Sequence, residues 1–169
     1  MTNQSFEINL FNRSYDRQKF DSGSLPLNNY IKTQASQDIK RNLAKCYITS
    51  NDESTIAGYY TLSASNLAMK DIPAAIGKRL GTYPMLPSVL MGRLAVDKNF
   101  QGLGLAKKML NNSLTKCLNA PMASFALMVD AKDEQAENFY EHYGFIRSLS
   151  SPSSLFLPMD NAKKILDKI

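Results

Sequence analysis

The segment from Arg93 to Lys108, RLAVDKNFQGLGLAKK, joins an apolar run to two closely spaced glycines and then to a helix-forming stretch. A strand that ends, a loop freed by Gly102 and Gly104, and a helix that starts at once bring unsatisfied main-chain N–H groups to one spot. The positive end of the helix dipole falls there too, and together these make a seat for phosphate. The run is not a P-loop, because G-x-x-x-x-G-K-[ST] is absent. It is not a dinucleotide fingerprint either, since Lys107 stands where the third glycine of G-x-G-x-x-G belongs. Its spacing fits Q/R-x-x-G-x-G/A, supplied by Gln101, Gly104 and Ala106. Read blandly, the same residues are a glycine-softened turn between a strand and a helix.

A second chemical group is the phenol of Tyr140, in Asn138-Phe139-Tyr140. With an ordinary pKa of ~10 against ~8.5 for a thiol, a tyrosine hydroxyl can protonate or hydrogen-bond a departing thiolate. Ala136, Phe139, Tyr140 and Tyr143 also follow the spacing of a buried helix stripe, so core packing is the competing reading. Other chemistries have little to stand on. His142 is the single histidine and Cys46 and Cys117 the two cysteines, without metal-ligand spacing. No metal site is expected. His142 lies two positions from Tyr140, off its helix face, and reads as a surface residue. Both cysteines read as structural, Cys117 on a helix stripe and Cys46 at a strand start.

The elements that must carry these groups follow from periodicity. A strand is expected over residues 6–11. Leu27, Ile31, Ala35, Ile39 and Leu43 recur every four residues and predict a helix with one buried face. CYITS and TIAGYYTLSA, separated by Asn51-Asp52-Glu53-Ser54, predict an antiparallel hairpin. Prolines 73, 84 and 87 punctuate the next stretch, which holds a short helical piece over residues 74–80. Residues 89–96 read as a buried strand broken by Arg93. The helix after the glycine loop shows the stripe Ala106, Met109, Leu110, Leu114 and Cys117. A buried strand over 124–129, a helix over 133–143 capped by Gly144, two further strand pieces and a tail helix complete the order. Hairpins first and crossover helices second predict an α/β (α+β) mixed sheet with helices on both faces.

At 169 residues, with 44% hydrophobic and 21% charged residues, the chain is read as a single domain, 1–169. Bulk disorder and collagen-like repeats are excluded by that composition. A net charge of +5 is compatible with a nucleic-acid partner without establishing one. The first residues lack a basic stretch followed by an apolar one, and no apolar run approaches the ~20 residues that span a bilayer. A cytoplasmic protein with no membrane partner is expected. Lys78, Arg79 and Arg93 are the basic residues marked for a partner surface. Arg93 shares a strand face with Met91 and Ala95, so it lines a substrate channel or pairs with a buried acid. Lys107 and Lys108 open the helix after the loop and are candidates for phosphate contact.

The Gln101/Gly104/Ala106 loop resembles the acetyl-CoA loop of the GNAT N-acetyltransferases, and the predicted element order resembles that fold over nearly the whole chain. GYYTLSA, the run from Pro84 to Asp97, VDAKD, FYEHYGF and LFLP narrow the likeness. Over roughly residues 20–160 they resemble the TacT-like toxins of type II toxin–antitoxin systems, which acetylate the amino acid on aminoacyl-tRNA. The resemblance implies a splayed central strand pair. It implies acetyl-CoA bound by Leu94, Ala95, Val96, Gln101, Gly102, Leu103, Gly104, Leu105, Ala106 and Asn138. It also implies Tyr140 as the catalytic acid, aminoacyl-tRNA as acceptor, and Lys78, Arg79 and Arg93 as tRNA contacts. A small DNA-binding antitoxin of the ribbon-helix-helix type is expected as partner, and a homodimer is left open. Two other readings stand beside this one: acetylation of a small amine or a protein N-terminus, and a degenerate acyl-CoA-binding module without activity. No residue is marked as general base. An α-amino group has a pKa of ~7.7–8.0 and that of an esterified amino acid should be lower, so much of it is neutral near pH 7 and a dedicated base is not demanded.

Overall fold

The computed structural model describes residues 5–166. Its elements are β1 (Glu7–Leu10), α1 (Leu25–Asn29), a π-helical turn (Tyr30–Gln34), α2 (Ala35–Lys40), β2 (Lys45–Ser50) and β3 (Gly58–Ala68). A 3₁₀ turn (Met69–Asp71), α3 (Ala74–Gly77), β4 (Met85–Val96) and a second 3₁₀ turn (Lys98–Phe100) follow. The rest is α4 (Leu105–Asn119), β5 (Ala126–Asp130), α5 (Glu134–His142), β6 (Ile146–Arg147), β7 (Ser154–Pro158) and α6 (Met159–Leu166). The seven strands form a mixed sheet in the order β1-β2-β3-β4-β5-β7-β6. The pairs β1–β2, β2–β3, β5–β7 and β6–β7 are antiparallel and β4–β5 is parallel.

The chain divides into two compact units, and β3, β4 and α4 each contribute to both. The first comprises the chain up to Ser63 together with Gly92–Ser113. Its core gathers Phe20, Tyr30, Ile31, Ala35, Cys46, Ile48, Tyr59 and Ala95. The second comprises Ala64–Met91 and the chain from Leu114 onward. There Leu67, Ile72, Leu86, Ala126 and Phe156 pack together.

The first helix departs from expectation for a geometric reason. Four-residue spacing overshoots a full α-helical turn by about 40° at each step, so a regular helix would rotate Ile39 off the face. The π-helical turn, closed by the Ala35 N–H donating to the Tyr30 carbonyl, widens the winding just where the drift accumulates. Ile31 and Ala35 are thereby fully buried, with Leu27 and Ile39 packed against the same cluster. Leu43 does not belong to the stripe. The helix ends at Asn42, in the left-handed conformation with φ 57°, and Leu43 is 59% exposed beyond it.

Strand β4 is longer and less uniformly buried than its apolar sequence predicts. Leu86 and Ser88 are buried on one alternation phase, Met91 and Ala95 on the other, so the phase slips by one residue between Ser88 and Met91. Its pairing with β5 covers Ser88–Met91 against Ala126–Val129. Gly92–Val96 lies beyond that register.

In the first unit, Gly58 of β3 sits where a Cβ would stand 2.9 Å from the Ala95 carbonyl oxygen and 2.8 Å from the Met109 methyl. The methionine can move; the backbone carbonyl cannot. Gly58→Ala is expected to destabilise the protein by about 1–3 kcal/mol, the usual cost of overpacking, read as a lower midpoint in chemical denaturation. An unchanged midpoint would show that the β3–β4 approach is looser than described.

Candidate active site

The phosphate-type loop is built from the end of β4 outward. After Val96 the carboxylate of Asp97, 4% exposed, caps the 3₁₀ turn by accepting from the Asn99 N–H at 2.9 Å. Its other oxygen accepts from the Asp21 N–H at 2.9 Å. Gln101 then folds back, its side-chain NH₂ donating to the carbonyls of Val96 at 3.2 Å and Ser22 at 3.4 Å. Asp21 extends the network: its carboxylate accepts from the Gly23 N–H and from the Asn28 amide. Those bonds hold the Asp21 carboxyl below the usual carboxylate range, the Gly23 bond foremost.

Gly102 and Gly104 follow with φ 79° and 78°, values that ordinary side chains rarely adopt. A Cβ at either would meet nothing within 4 Å, so the space above the loop is open to a ligand. The Gly104 carbonyl accepts from the Lys108 N–H at 3.0 Å and starts α4. The first-turn N–H groups of Leu105, Ala106 and Lys107 thus lack helical partners, as at any helix start. Leu105 is buried and anchors the helix, while Gln101, Gly102, Leu103 and Gly104 are exposed. No acidic residue lies in the first turn. Lys107 is exposed there; the Lys108 ammonium instead donates to the Phe6 carbonyl. All of this lies in the first unit, as do Leu94, Ala95 and Val96. Ala95 is buried and its two neighbours are half-buried.

Tyr140 lies in the second unit on α5. Asp133 caps that helix by accepting from the Ala136 N–H at 2.8 Å, and Gly144, φ 89°, ends it. Arg147 braces it through Glu137 and Glu141. The Tyr140 ring is 6% exposed, edge-on to Phe139 at 5.2 Å and tilted against Phe145 at 5.2 Å. Burial alone pushes its pKa well above the ordinary tyrosine value. The phenol therefore keeps its proton at any physiological pH, as an acid must. Asn138 is exposed on the same helix, two residues earlier. His142 is exposed, its ring edge-on to Tyr143 at 5.0 Å.

Lys78 and Arg79 are exposed just after α3, without an ion pair among the described residues. Of the two positions expected of Arg93, pairing with a buried acid is not the one it takes. Its guanidinium lies over the Tyr30 ring, 3.5 Å from the centroid, with no carboxylate paired to it among the described residues. Cys46 and Cys117 are buried, and burial raises their thiols to about 12 and about 11, which leaves them inert.

Sequence reasoning missed Tyr30 because it falls one residue off the four-residue stripe. It missed the Asp97–Asp21–Asn28 network because partners so far apart in sequence leave no local pattern. A buried Asp directly after an apolar strand is the one signal that could have pointed to it.

The glycine-opened loop at the start of α4, in the first unit, and the buried phenol of α5, in the second, are the groups that the sequence resemblance to GNAT acetyltransferases singles out. The family model described as "Acetyltransferase (GNAT) domain" matches residues 75–157. The chain carries a GNAT acetyltransferase domain and is an N-acetyltransferase. It is 29% identical over 153 residues to the "tRNA-acetylating toxin" of Mycobacterium tuberculosis (strain ATCC 25618 / H37Rv), covering 89% of this chain and 90% of that protein. The solved structure of AtaT complexed with acetyl-methionyl-tRNAfMet matches with TM-score 0.85 and 28% identity, over 95% of this chain and 99% of that one. A tyrosine-to-phenylalanine mutant of AtaT, bound to the C-terminus of the antitoxin AtaR and acetyl-CoA, matches with TM-score 0.80 and 26% identity. Coverage is 96% of this chain and 99% of that one.

Two expectations follow. Gly104→Val should weaken acetyl-CoA binding sharply, because a branched residue is strained at φ 78° and its side chain would fill the open space over the loop. Calorimetry on the folded variant checks this, and unchanged affinity would contradict it. Tyr140→Phe should fold and bind acetyl-CoA normally yet lose turnover by about 10²–10⁴, as for a lost general acid. In the unsubstituted enzyme the raised phenol stays protonated from neutral pH to beyond its ordinary titration range. Turnover should therefore show no alkaline fall near pH ~10 from this group. A fall there that Tyr140→Phe abolishes would contradict the burial argument.

Proposed function

We propose that this chain, acting as one acetyltransferase domain over residues 1–169, transfers acetyl from acetyl-CoA to the amino group of aminoacyl-tRNA and so blocks translation. The observation that carries this reading is the near full-length likeness to a tRNA-acetylating toxin and to AtaT in complex with acetyl-methionyl-tRNA. Such transfer needs a neutral amine, a seat for the donor and a proton for the departing thiolate. The α-amino group of an esterified amino acid, with a pKa below the ~7.7–8.0 of an ordinary α-amino group, supplies the first near neutral pH. For the second, the main-chain N–H groups around Gly102 and Gly104 take the donor's phosphates, while Leu94–Val96 offers strand backbone to its arm. Tyr140 provides the third, and Asn138 is assigned in the same reading to contact with the donor.

The acceptor is a polyanion, consistent with the net charge of +5 and with the exposed Lys78 and Arg79, which form no ion pair among the described residues. The likeness to AtaT bound to the C-terminus of the antitoxin AtaR supports an antitoxin as partner. A small ribbon-helix-helix DNA-binding type and a cytoplasmic site of action belong to the same proposal, which leaves a homodimer open. No helix among the described residues is long and apolar enough to cross a membrane.

Purified protein incubated with labelled acetyl-CoA should label charged tRNA, but neither uncharged tRNA nor free amino acids. Lys78→Glu with Arg79→Glu should weaken tRNA binding and reduce the steepness of its salt dependence, by roughly 0.7–0.9 in log–log slope per lost contact. Equal labelling of free amino acids, or none of any charged tRNA, would overturn the reading.

A further inference from the structure

Arg93 carries an unusual combination of properties. It is half-buried, its guanidinium donates no hydrogen bond to any described residue, and it has no acidic partner. A partly desolvated charge left in that state is costly unless something compensates it. The compensation visible within the chain is the face of Tyr30, 3.5 Å away.

Tyr30 is itself fixed from three sides. Its hydroxyl donates to Asp38 at 3.0 Å, about two helical turns further on. Its ring stacks at 18° to that of Tyr59, whose own hydroxyl donates to the Leu27 carbonyl at 2.6 Å. Its backbone opens the π-helical turn, whose carbonyl–amide bond runs from Tyr30 to Ala35. Such turns cost helix regularity and recur at functional positions. Here the widened winding brings an aromatic face under a cation on β4.

Stacking on one face leaves the planar edge of a guanidinium, with its five donors, free for an anion. Arg93 also stands three residues before Val96, about 10 Å up the strand from the loop that seats the donor's phosphates. That displacement leads away from the phosphate end of an extended donor and toward its acyl end.

We infer that Tyr30 is a positioning residue: it holds the Arg93 guanidinium flat so that its donor edge takes a phosphate of the tRNA acceptor end beside the reacting amine. This rests on the proposed function above. Tyr30 touches no substrate in this scheme and acts only through Arg93. Charge alone at position 93 is insufficient; orientation supplies the specificity.

The test is a double-mutant cycle on charged-tRNA binding, with acetyl-CoA affinity measured in parallel. Tyr30→Leu should weaken tRNA binding about tenfold, raise KM more than it lowers kcat, and leave acetyl-CoA affinity intact. In an Arg93→Ala background the same substitution should add nothing, whereas a merely structural loss would add in full. Tyr30→Phe, which keeps the ring, should restore most of the affinity. Because Tyr30 is a core residue, Arg93→Lys provides a second arm that leaves the core untouched. It keeps the charge without the flat face and should lose most of what Arg93→Ala loses. Parental affinity in Arg93→Lys, or an undiminished Tyr30→Leu effect in the Arg93→Ala background, would overturn the inference while the tRNA reading stands. If the unsubstituted protein binds no charged tRNA, the tRNA reading fails first and this inference falls with it.

Discussion

The buried carboxylate of Asp97 is the fixed point of the donor loop. It accepts main-chain N–H groups from Asp21 and Asn99, and hydrogen bonds to a charged acceptor are the strong kind. Leaving those donors unsatisfied would cost about 1–3 kcal/mol each. This one side chain therefore sets where β4 ends and fastens the segment before α1 to that end. Gln101 repeats the tie from the other side of the turn, bonding both Val96 and Ser22. The glycines can then adopt left-handed conformations without loosening the loop, because both flanks are pinned. Gln101 thus contributes through its own chain's carbonyls, leaving the main-chain N–H groups beyond it to face a ligand.

Burial shapes the other reactive groups in the same direction. The Tyr140 phenol sits among Phe139 and Phe145 with no charge or hydrogen bond from the described residues to stabilise its ionised form. It is consequently a proton holder rather than a base. The two thiols are likewise pushed toward their neutral forms, which removes a competing nucleophile. A single side chain with an exchangeable proton, in an apolar setting, fits a transfer whose only demand at the leaving sulfur is a proton.

Much of this was legible in the sequence wherever a signal is local. The strand–glycine–helix junction at Gly102 and Gly104, the hairpin about residues 51–54 and the cap at Gly144 each depend on neighbours within a few positions. The stripe of α4 also matched, with Met109, Leu110, Leu114 and Cys117 buried. What escaped depends on distance. The four-residue repeat from Leu27 gave a helix but not its π-helical turn, because hydrophobic spacing does not report winding. Leu43 was assigned to that helix although Asn42 ends it, since an Asn in the left-handed conformation looks ordinary in sequence. The contact of Arg93 with Tyr30 escapes because alternation assigns a face and does not name a partner. Tyr30, more than sixty positions earlier, is found only once the strands are folded together.

The donor is proposed to be seated by main-chain N–H groups around the glycine loop. Amide hydrogen exchange with and without acetyl-CoA tests this most directly. Slowed exchange is expected at Gly102, Gly104, Leu105, Ala106 and Lys107 and along Leu94–Val96, with the turn at 51–54 unaffected. Saturating acetyl-CoA that leaves the loop and first-turn amides exchanging at their free rates would contradict it.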